Sequence, residues 1–381
     1  MNARTHVVKV REVIAETADA RTLVLEIPDD LTDRFGYRPG QYLTVRVPSE
    51  RTGSVARCYS LCSSPHCDAR LAVTVKRVPG GFASNLLCDT VVAGDLLTVL
   101  GPAGNFGPRR FDADVLLCAG GSGITPIMSI IKSMLGIGRG NIAVLYANRD
   151  RNSVIFARQL AELTRRYPRR LRVLQWLESE RGLPTARGLA KVLKPYARRE
   201  WFLCGPTGFV ATLESAADAL RVSRFRIHRE EFRSLDRNPF EGAGSSSRAV
   251  TTAVGFGGQV ADAVAPVAVV SAASDTTDDS LDSADTPIGA VAVVRVEIDG
   301  ATHRLDWPTH HRLLDVLLDN GIDAPYVCRE SACGSCVCSV KRGRTRMVRN
   351  EALIDDELAR GLTLACQTLP ESARVDIAFD Q

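Results

Sequence analysis

The sequence has no run of about 20 apolar residues, the length a helix needs to cross a bilayer, so direct membrane insertion is not expected. Its opening, MNARTHVVKVREV, lacks an apolar stretch followed by a small-residue cleavage site; the expectation is a cytoplasmic chain. A strong charge of one sign is also missing. Forty-eight Lys and Arg against 44 Asp and Glu leave a net charge of +4 on 381 residues, too little to argue for a nucleic-acid partner. An even set of cysteines is absent too. Eleven cysteines in a chain expected to stay in a reducing compartment speak against a disulfide framework and for metal or catalytic use.

What is present falls into four stretches. Residues 1–109 hold short alternating or β-branched runs (VVKVREVI, TLVLEI, QYLTVRV, ARCYSLCS, LAVTVKRV, DLLTVL) divided by turn residues such as Pro39-Gly40 and Gly80-Gly81. That pattern predicts an antiparallel β-barrel. Residues 110–236 alternate buried-strand patterns with helical ones, beginning with VLLCAGGSGITPIMSIIKSML, which predicts a parallel α/β sheet with crossover helices. Residues 237–290 read as a flexible linker: 241–287 carry one aromatic and one basic residue, and their second half is rich in Asp, Ser and Thr. Residues 291–381 return to order as an α+β unit, with a hairpin turning at Asp299-Gly300 and an amphipathic helix ending at Gly321.

The last stretch contains CRESACGSCVC. Cys328-x4-Cys333-x2-Cys336, with Cys366 after 29 further residues, matches the plant-type [2Fe–2S] ligand spacing. Structural zinc would ask for a second cysteine knuckle or a nearby histidine, and neither is there. Cys338 sits where strand alternation resumes and is expected in the core beside Val340. Cys58, Cys62, Cys67, Cys88 and Cys118 are scattered, as small core residues or surface thiols are.

Residues 291–381 thus resemble a plant-type ferredoxin, with Ser331 where that family often has glycine. Residues before them resemble the ferredoxin–NADP reductase superfamily. Arg57-Cys58-Tyr59-Ser60 is similar to its R-x-Y-S motif. A guanidinium such as Arg57 suits flavin phosphate, the ring of Tyr59 suits the flat isoalloxazine, and Ser60 offers a polar partner to N5. In VKRVPGGFASNLLCD, the resemblance assigns Lys76, Gly80, Gly81 and Ser84 to the phosphate-binding turn. GPAGNF, residues 101–106, resembles the segment that closes the barrel. GGSGITP follows an apolar strand and precedes a helix; Gly120, Gly121 and Gly123 are expected to let the main chain approach a dinucleotide, with Thr125 as N-cap and Pro126 at the first helical position. Cys204-Gly205-Pro206 resembles the turn beside the nicotinamide, and HREEF resembles the family ending that brings Glu230 and Phe232 near the flavin.

The resemblance implies an oxygenase reductase. Electrons would pass from NADH, with NADPH the alternative, through FAD and [2Fe–2S] to an acceptor protein, with Ser60, Cys204 and Glu230 at the hydride step. FAD rather than FMN comes from the resemblance alone. In YANRDRNS, Arg149 and Arg151 could hold a 2′-phosphate and Asp150 free ribose hydroxyls. The strings RTGSVARCYSLCSSP, LYANRD and CRE-x2-CG-x-C resemble those of reductases that serve a terminal oxygenase acting on 3-ketosteroids, and the resemblance implies that acceptor; a fatty-acyl desaturase or another monooxygenase is the alternative acceptor, and a redox-sensing binding protein the alternative function. Arg329, Lys341 and Arg342 are the cations nearest the cluster that could guide docking.

Overall fold

A computed structural model describes residues 5–232, 238–240, 291–326, 329, 331, 334–350, 352–353 and 355–379. Cys328, Cys333 and the expected linker beyond 240 lie outside the described residues.

The first unit is a six-stranded antiparallel sheet. Its strands are β1 (Thr5–Thr17), β2 (Ala20–Glu26), β3 (Tyr42–Ser49), β4 (Gly53–Ser60), β5 (Leu71–Lys76) and β6 (Leu96–Ala103), in the order β4-β3-β6-β1-β2-β5. A bridge between Leu61 and Val73 joins the two ends of that order into a barrel. Alternation along the strands turns Val8, Val10, Leu23, Leu25, Leu43, Val45, Val73, Val75 and Val99 into one core. Each such side chain contributes about 1.5–3 kcal/mol when fully buried. Helix α1 (Phe82–Thr90) follows the glycine turn and seals that core with Ala83 and Leu87.

The second unit is a parallel sheet of β7 (Val115–Gly120), β8 (Ile142–Asn148), β9 (Leu171–Leu177), β10 (Glu200–Cys204) and β11 (Ile227–Glu230), ordered β11-β10-β7-β8-β9. All six residues of β7 are buried, as expected for a central strand covered on both faces. Helices α2 (Ile124–Ile137) and α3 (Ala157–Arg166) contribute to one apolar cluster with Ile127, Ile131 and Leu160. After the short α4 (Glu178–Arg181), α5 (Ala186–Leu193) and α6 (Thr207–Ala219) contribute Leu189, Leu193 and Leu213 to another. The chain runs outward from β7 to β9, then crosses back to place β10 on β7's other side. That reversal is a topological switch point, where ligands bind at the carboxyl ends of parallel strands.

The third unit is a mixed sheet of β12 (Val291–Ile298), β13 (Ala301–Pro308), β14 (Val337–Arg342), β16 (Leu362–Leu364) and β18 (Arg374–Ala378), ordered β13-β12-β18-β14-β16, with β15 (Thr345–Met347) and β17 (Thr368–Pro370) as a separate pair. Asp299 and Gly300 both have positive φ, the requirement of the tight hairpin turn expected there. Helix α7 (Leu313–Asp319) buries Leu313, Leu314, Val316 and Leu317. Ile322 N–H donates to Leu317 and Gly321 N–H to Leu318, with Gly321 at φ 74°; this is the glycine stop expected for that helix. Helix α8 (Asp355–Ala359) precedes β16.

Asn238 and Phe240, expected in the linker, are seated on the barrel instead. Asn238 Nδ2 donates to Ser54 O at 3.0 Å and Ser54 Oγ at 2.9 Å, and Phe240 packs against Tyr42, Leu100 and Ala103. An aromatic next to an exposed apolar patch gains more from burial than a short polar tract gains from solvation.

Candidate electron-transfer site

Strand β4 presents Arg57 and Tyr59 in register with Val45 and Leu43 of β3. Arg57 is half-buried and donates to the Ala56 carbonyl at 2.7 Å. Burial pushes the Tyr59 phenol above its ordinary range, opposed by the Arg57 charge, so Tyr59 is a neutral ring at working pH. Ser60 is buried at the end of the strand. Gly80 has φ 71° with open space where a side chain would stand. Helix α1 has no side-chain cap, which leaves its first N–H groups for an anion. Ser84 Oγ accepts from Val78 N at 3.1 Å and keeps its proton to donate. These groups fit a flavin pyrophosphate. Lys76 closes β5; its Nζ lies 3.8 Å from Asp19 Oδ2 and faces Gly121 across the domain boundary.

At the switch point the glycines allow close packing within the chain. A methyl at Gly123 would overlap the Cys204 carbonyl, and one at Gly120 would meet Phe209 Cδ1 at 2.8 Å and Pro206 at 2.9 Å. Gly205 in turn abuts the Gly120 main chain. Of the three turn glycines, Gly121 alone has positive φ, 52°. The expected cap is displaced: a 3₁₀ turn spans Gly121–Gly123, α2 begins at Ile124 with Gly123 as N-cap, and Thr125 Oγ1 donates back to Ser122 O at 3.1 Å. Thr125 is therefore the second residue of the helix and Pro126 the third. The tight 3₁₀ turn uses up the residues that a cap at Thr125 would need.

The ribose loop after β8 is committed to protein partners. Arg149 pairs with Asp19 of the barrel at 3.2 Å, and Arg151 with Glu180 at 2.8 Å. Asp150 accepts from Ser153 N and Oγ, both at 2.9 Å, and these bonds hold its carboxyl below the usual carboxylate range. Both arginines are largely exposed and each pairs with a carboxylate. Sequence reasoning missed Asn148. It is buried at the carboxyl end of β8, and its amide makes no well-formed hydrogen bond. An orphaned amide at this point fits a nucleotide; nothing local in LYANRD marks it.

Cys204 ends β10 in register with Ala119 of β7 and Glu230 of β11. Burial and the nearby Glu230 carboxyl push the Cys204 thiol well up. Burial and the Glu231 charge push Glu230 up to about 8. Glu230 is thus in the edge strand, but its carboxyl is not a solvated charge. Phe202 stacks on His228, ring centres 4.6 Å apart, and meets Phe106 edge-on at 5.8 Å, tying the GPAGNF segment to the nucleotide sheet. Phe232 is half exposed at the end of the described stretch. The structure therefore joins Lys76 to Gly121, Gly123 to Cys204 and Cys204 to Glu230, with Phe232 half exposed two residues after Glu230.

In the third unit Cys336 and Cys366 are both buried, and Ala365 N donates to Cys336 O at 2.9 Å. Arg329 and Ser331 have φ 58° and 68°, a costly left-handed backbone for residues with side chains. Gln367 Nε2 donates to Arg329 O at 2.9 Å and anchors the turn. Among the described residues, the buried Ser331 hydroxyl has no hydrogen-bond partner. Such an orphaned donor in a cysteine loop fits an iron–sulfur cluster, whose sulfides accept hydrogen bonds. Cys338 is buried on β14, opposite Thr363, with its thiol pushed up by burial. Arg329 pairs with Asp315 at 3.1 Å and lies over the Tyr326 ring at 5.0 Å, so it is less available for docking than expected. Lys341 and Arg342 lie exposed at the end of β14.

Family models match in the same order: an oxidoreductase FAD-binding domain over residues 7–107, an oxidoreductase NAD-binding domain over 117–215 and a 2Fe-2S iron-sulfur cluster binding domain over 296–371. The ferredoxin reductase component of 3-ketosteroid-9-alpha-monooxygenase from Mycobacterium tuberculosis is 48% identical over 379 residues, spanning 98% of this chain and 95% of that protein. The chain belongs to this family of reductase components. Its counterpart from Rhodococcus rhodochrous is 44% identical, covering 99% and 97%. One component of 1,2-phenylacetyl-CoA epoxidase from Escherichia coli is 29% identical, covering 98% of each. Among solved structures, phthalate dioxygenase reductase shares the fold over 99% of this chain and 98% of its own, at TM-score 0.51 and 21% identity. The chain is thus an oxidoreductase that uses NADH, FAD and a [2Fe–2S] cluster for electron transfer to an oxygenase component. Among the described residues, no helix is long and apolar enough to cross a membrane.

Proposed function

We propose that the chain carries electrons from NADH to the terminal oxygenase of a 3-ketosteroid 9α-hydroxylase, in the cytoplasm. The observation that carries this reading is the 48% identity to a reductase of that name over nearly the whole of both chains. Bound FAD accepts a hydride and releases electrons singly, and a [2Fe–2S] centre carries one at a time.

In this reading Arg57, Lys76, Gly80, Gly81 and Ser84 hold the flavin phosphates, and Tyr59 and Phe232 flank its ring. Gly120, Gly121, Gly123, Thr125 and Pro126 shape the floor on which NADH lies, with Gly205 and Pro206 opposite. Ser60, Cys204 and Glu230 line the hydride path: Cys204 as a neutral, buried, soft surface, Glu230 as a carboxyl that is largely neutral at pH 7. Cys328, Cys333, Cys336 and Cys366 hold the cluster. The committed Arg149 and Arg151 favour NADH over NADPH.

An anaerobic titration of the purified protein with NADH tests the converter. Flavin and cluster bands should both bleach, with about three electrons taken up, two by the flavin and one by the cluster. Mixing with the oxygenase and a 3-ketosteroid should then give hydroxylated steroid. Bleaching of both bands without product would leave a reductase for another acceptor, such as the desaturase or epoxidase. Slow turnover with every acceptor would favour a redox sensor.

A further inference from the structure

Two turns at one end of the barrel are locked to each other. A side chain at Gly40 would overlap the Phe106 carbonyl, and one at Gly107 would meet Pro39 O at 2.6 Å. Gln41 Nε2 donates to Gly104 O at 3.0 Å, and its Oε1 accepts from Arg38 N at 2.8 Å. Between these fixed points stands Asn105, exposed at the tip.

Arg38 Nη2 donates to Asn105 Oδ1 at 3.1 Å. A guanidinium can only donate, so this bond settles which end of the amide is oxygen. The NH₂ end is thereby turned outward, away from Arg38. There Nδ2 donates to Ala352 O of the ferredoxin unit at 3.3 Å. It also abuts Gly334, so closely that a methyl at 334 would collide with it. Gly334 stands between Cys333 and Cys336 in the sequence. One amide on the flavin barrel thus touches the cluster loop itself.

The surrounding contacts are modest. Arg109 pairs with Glu357 at 2.8 Å, with Arg109 57% exposed; a bridge of this kind contributes about 0.2–1 kcal/mol. Tyr326 packs against the Tyr42, Leu100 and Ala103 patch. These hold the two units together without fixing the loop. Among the described residues, Asn105 meets the loop at one defined place, Gly334.

We propose that Asn105 is a positioning residue that docks the cluster loop against the flavin barrel and so sets the gap electrons cross from flavin to cluster. This rests on the reading that the chain moves electrons in that direction. The balance is simple: NADH gives a hydride, two electrons with one proton. Each crossing moves one electron into a diferric cluster, and the acceptor protein takes that electron from the cluster before the next crossing. Two crossings return oxidised flavin, and the proton goes to solvent.

The test uses the loaded full chain carrying Asn105→Ala or Asn105→Asp, with Arg109→Ala as a second way to loosen the contact. Stopped-flow absorbance follows flavin reduction and cluster reduction by NADH separately. Hydrogen exchange follows residues 101–107 and 345–353 in the resting protein. We expect Asn105→Ala to leave flavin reduction within about twofold and cluster content unchanged. It should slow cluster reduction at least about tenfold, since small losses of alignment cost large factors, and raise exchange in both segments. Asn105→Asp, which keeps the Arg38 bond but loses the donor, should do the same, and Arg109→Ala should give a smaller effect. Unchanged cluster reduction in Asn105→Ala would overturn the proposal. So would slowed reduction with unchanged exchange, because Asn105 would then act without docking. Failure of the wild-type cluster to bleach at all would instead strike the underlying reading of electron flow.

Discussion

Cys204 and Glu230 face the same switch point from adjacent parallel strands, in Cα register, although 25 residues of crossover helix and turn separate them. The register puts the part-buried Glu230 carboxyl next to the buried Cys204 thiol, and burial raises both groups. Both groups are therefore largely neutral at pH 7.

Glu230 should give flavin reduction its pH dependence. Its carboxyl, raised to about 8 from an ordinary 4.5, ionises as pH rises through 8, and the new negative charge opposes the anionic flavin that hydride transfer creates. Flavin reduction by NADH should slow above about pH 8 in the wild type and stay flat in Glu230→Gln. Stability moves the same way. Between 4.5 and about 8 the folded chain holds a proton that the unfolded chain has lost, so this group's contribution falls as pH rises and is level above 8. Denaturant midpoints at pH 6 and pH 9 should differ less in Glu230→Gln than in the wild type; an identical difference would count against the assignment.

Asp19 should govern the choice of nicotinamide. It neutralises Arg149 at 3.2 Å and approaches Lys76 at 3.8 Å. Asp19→Ala should free Arg149 for a 2′-phosphate. One exposed charge pair is worth up to about 1 kcal/mol, about fivefold in selectivity. Steady-state ferricyanide reduction with each nucleotide should show the NADPH/NADH ratio of kcat/KM rising about that much. A ratio that does not move would mean the phosphate lies elsewhere.

Gly123 should tolerate no methyl. The collision is with the Cys204 main chain, which a rotamer change cannot relieve, so Gly123→Ala should cost about 1–3 kcal/mol. In a thermal melt the transition should drop by several degrees, and NADH should bind more weakly as β7 and β10 separate. An unaltered melt would show that the turn can shift.

The cysteines should divide by role. Cys338→Ala should keep its iron and visible absorption and lose about 1–2 kcal/mol, the cost of a small cavity, because Cys338 lies in the core of the third unit. Cys366→Ala should lose the cluster. Iron analysis and absorption spectra of the two proteins separate these outcomes; iron loss from Cys338→Ala would make it a ligand.

The sequence by itself determined the features that depend on near neighbours. Strand alternation in VVKVREVI, the Asp299-Gly300 turn, the Gly321 helix stop and the Cys328, Cys333, Cys336 spacing are written in residues a few positions apart, where backbone sterics and side-chain period act directly. So are the motifs that identified flavin, nicotinamide and cluster modules. Tertiary structure decided the rest. The packing of the turn glycines Gly120 and Gly123 on Phe209 and Cys204 is a tertiary contact that the turn motif does not show. Arg149 read as free but meets Asp19, 130 residues away. Phe240 read as linker but lies on the barrel. Asn105 lies in GPAGNF, but that motif does not show its contact with Gly334 of a distant loop. Local sequence sets what each residue can do; crossover connections and domain contacts determine which partner it meets, and those partners lie too far along the chain for any spacing rule to register.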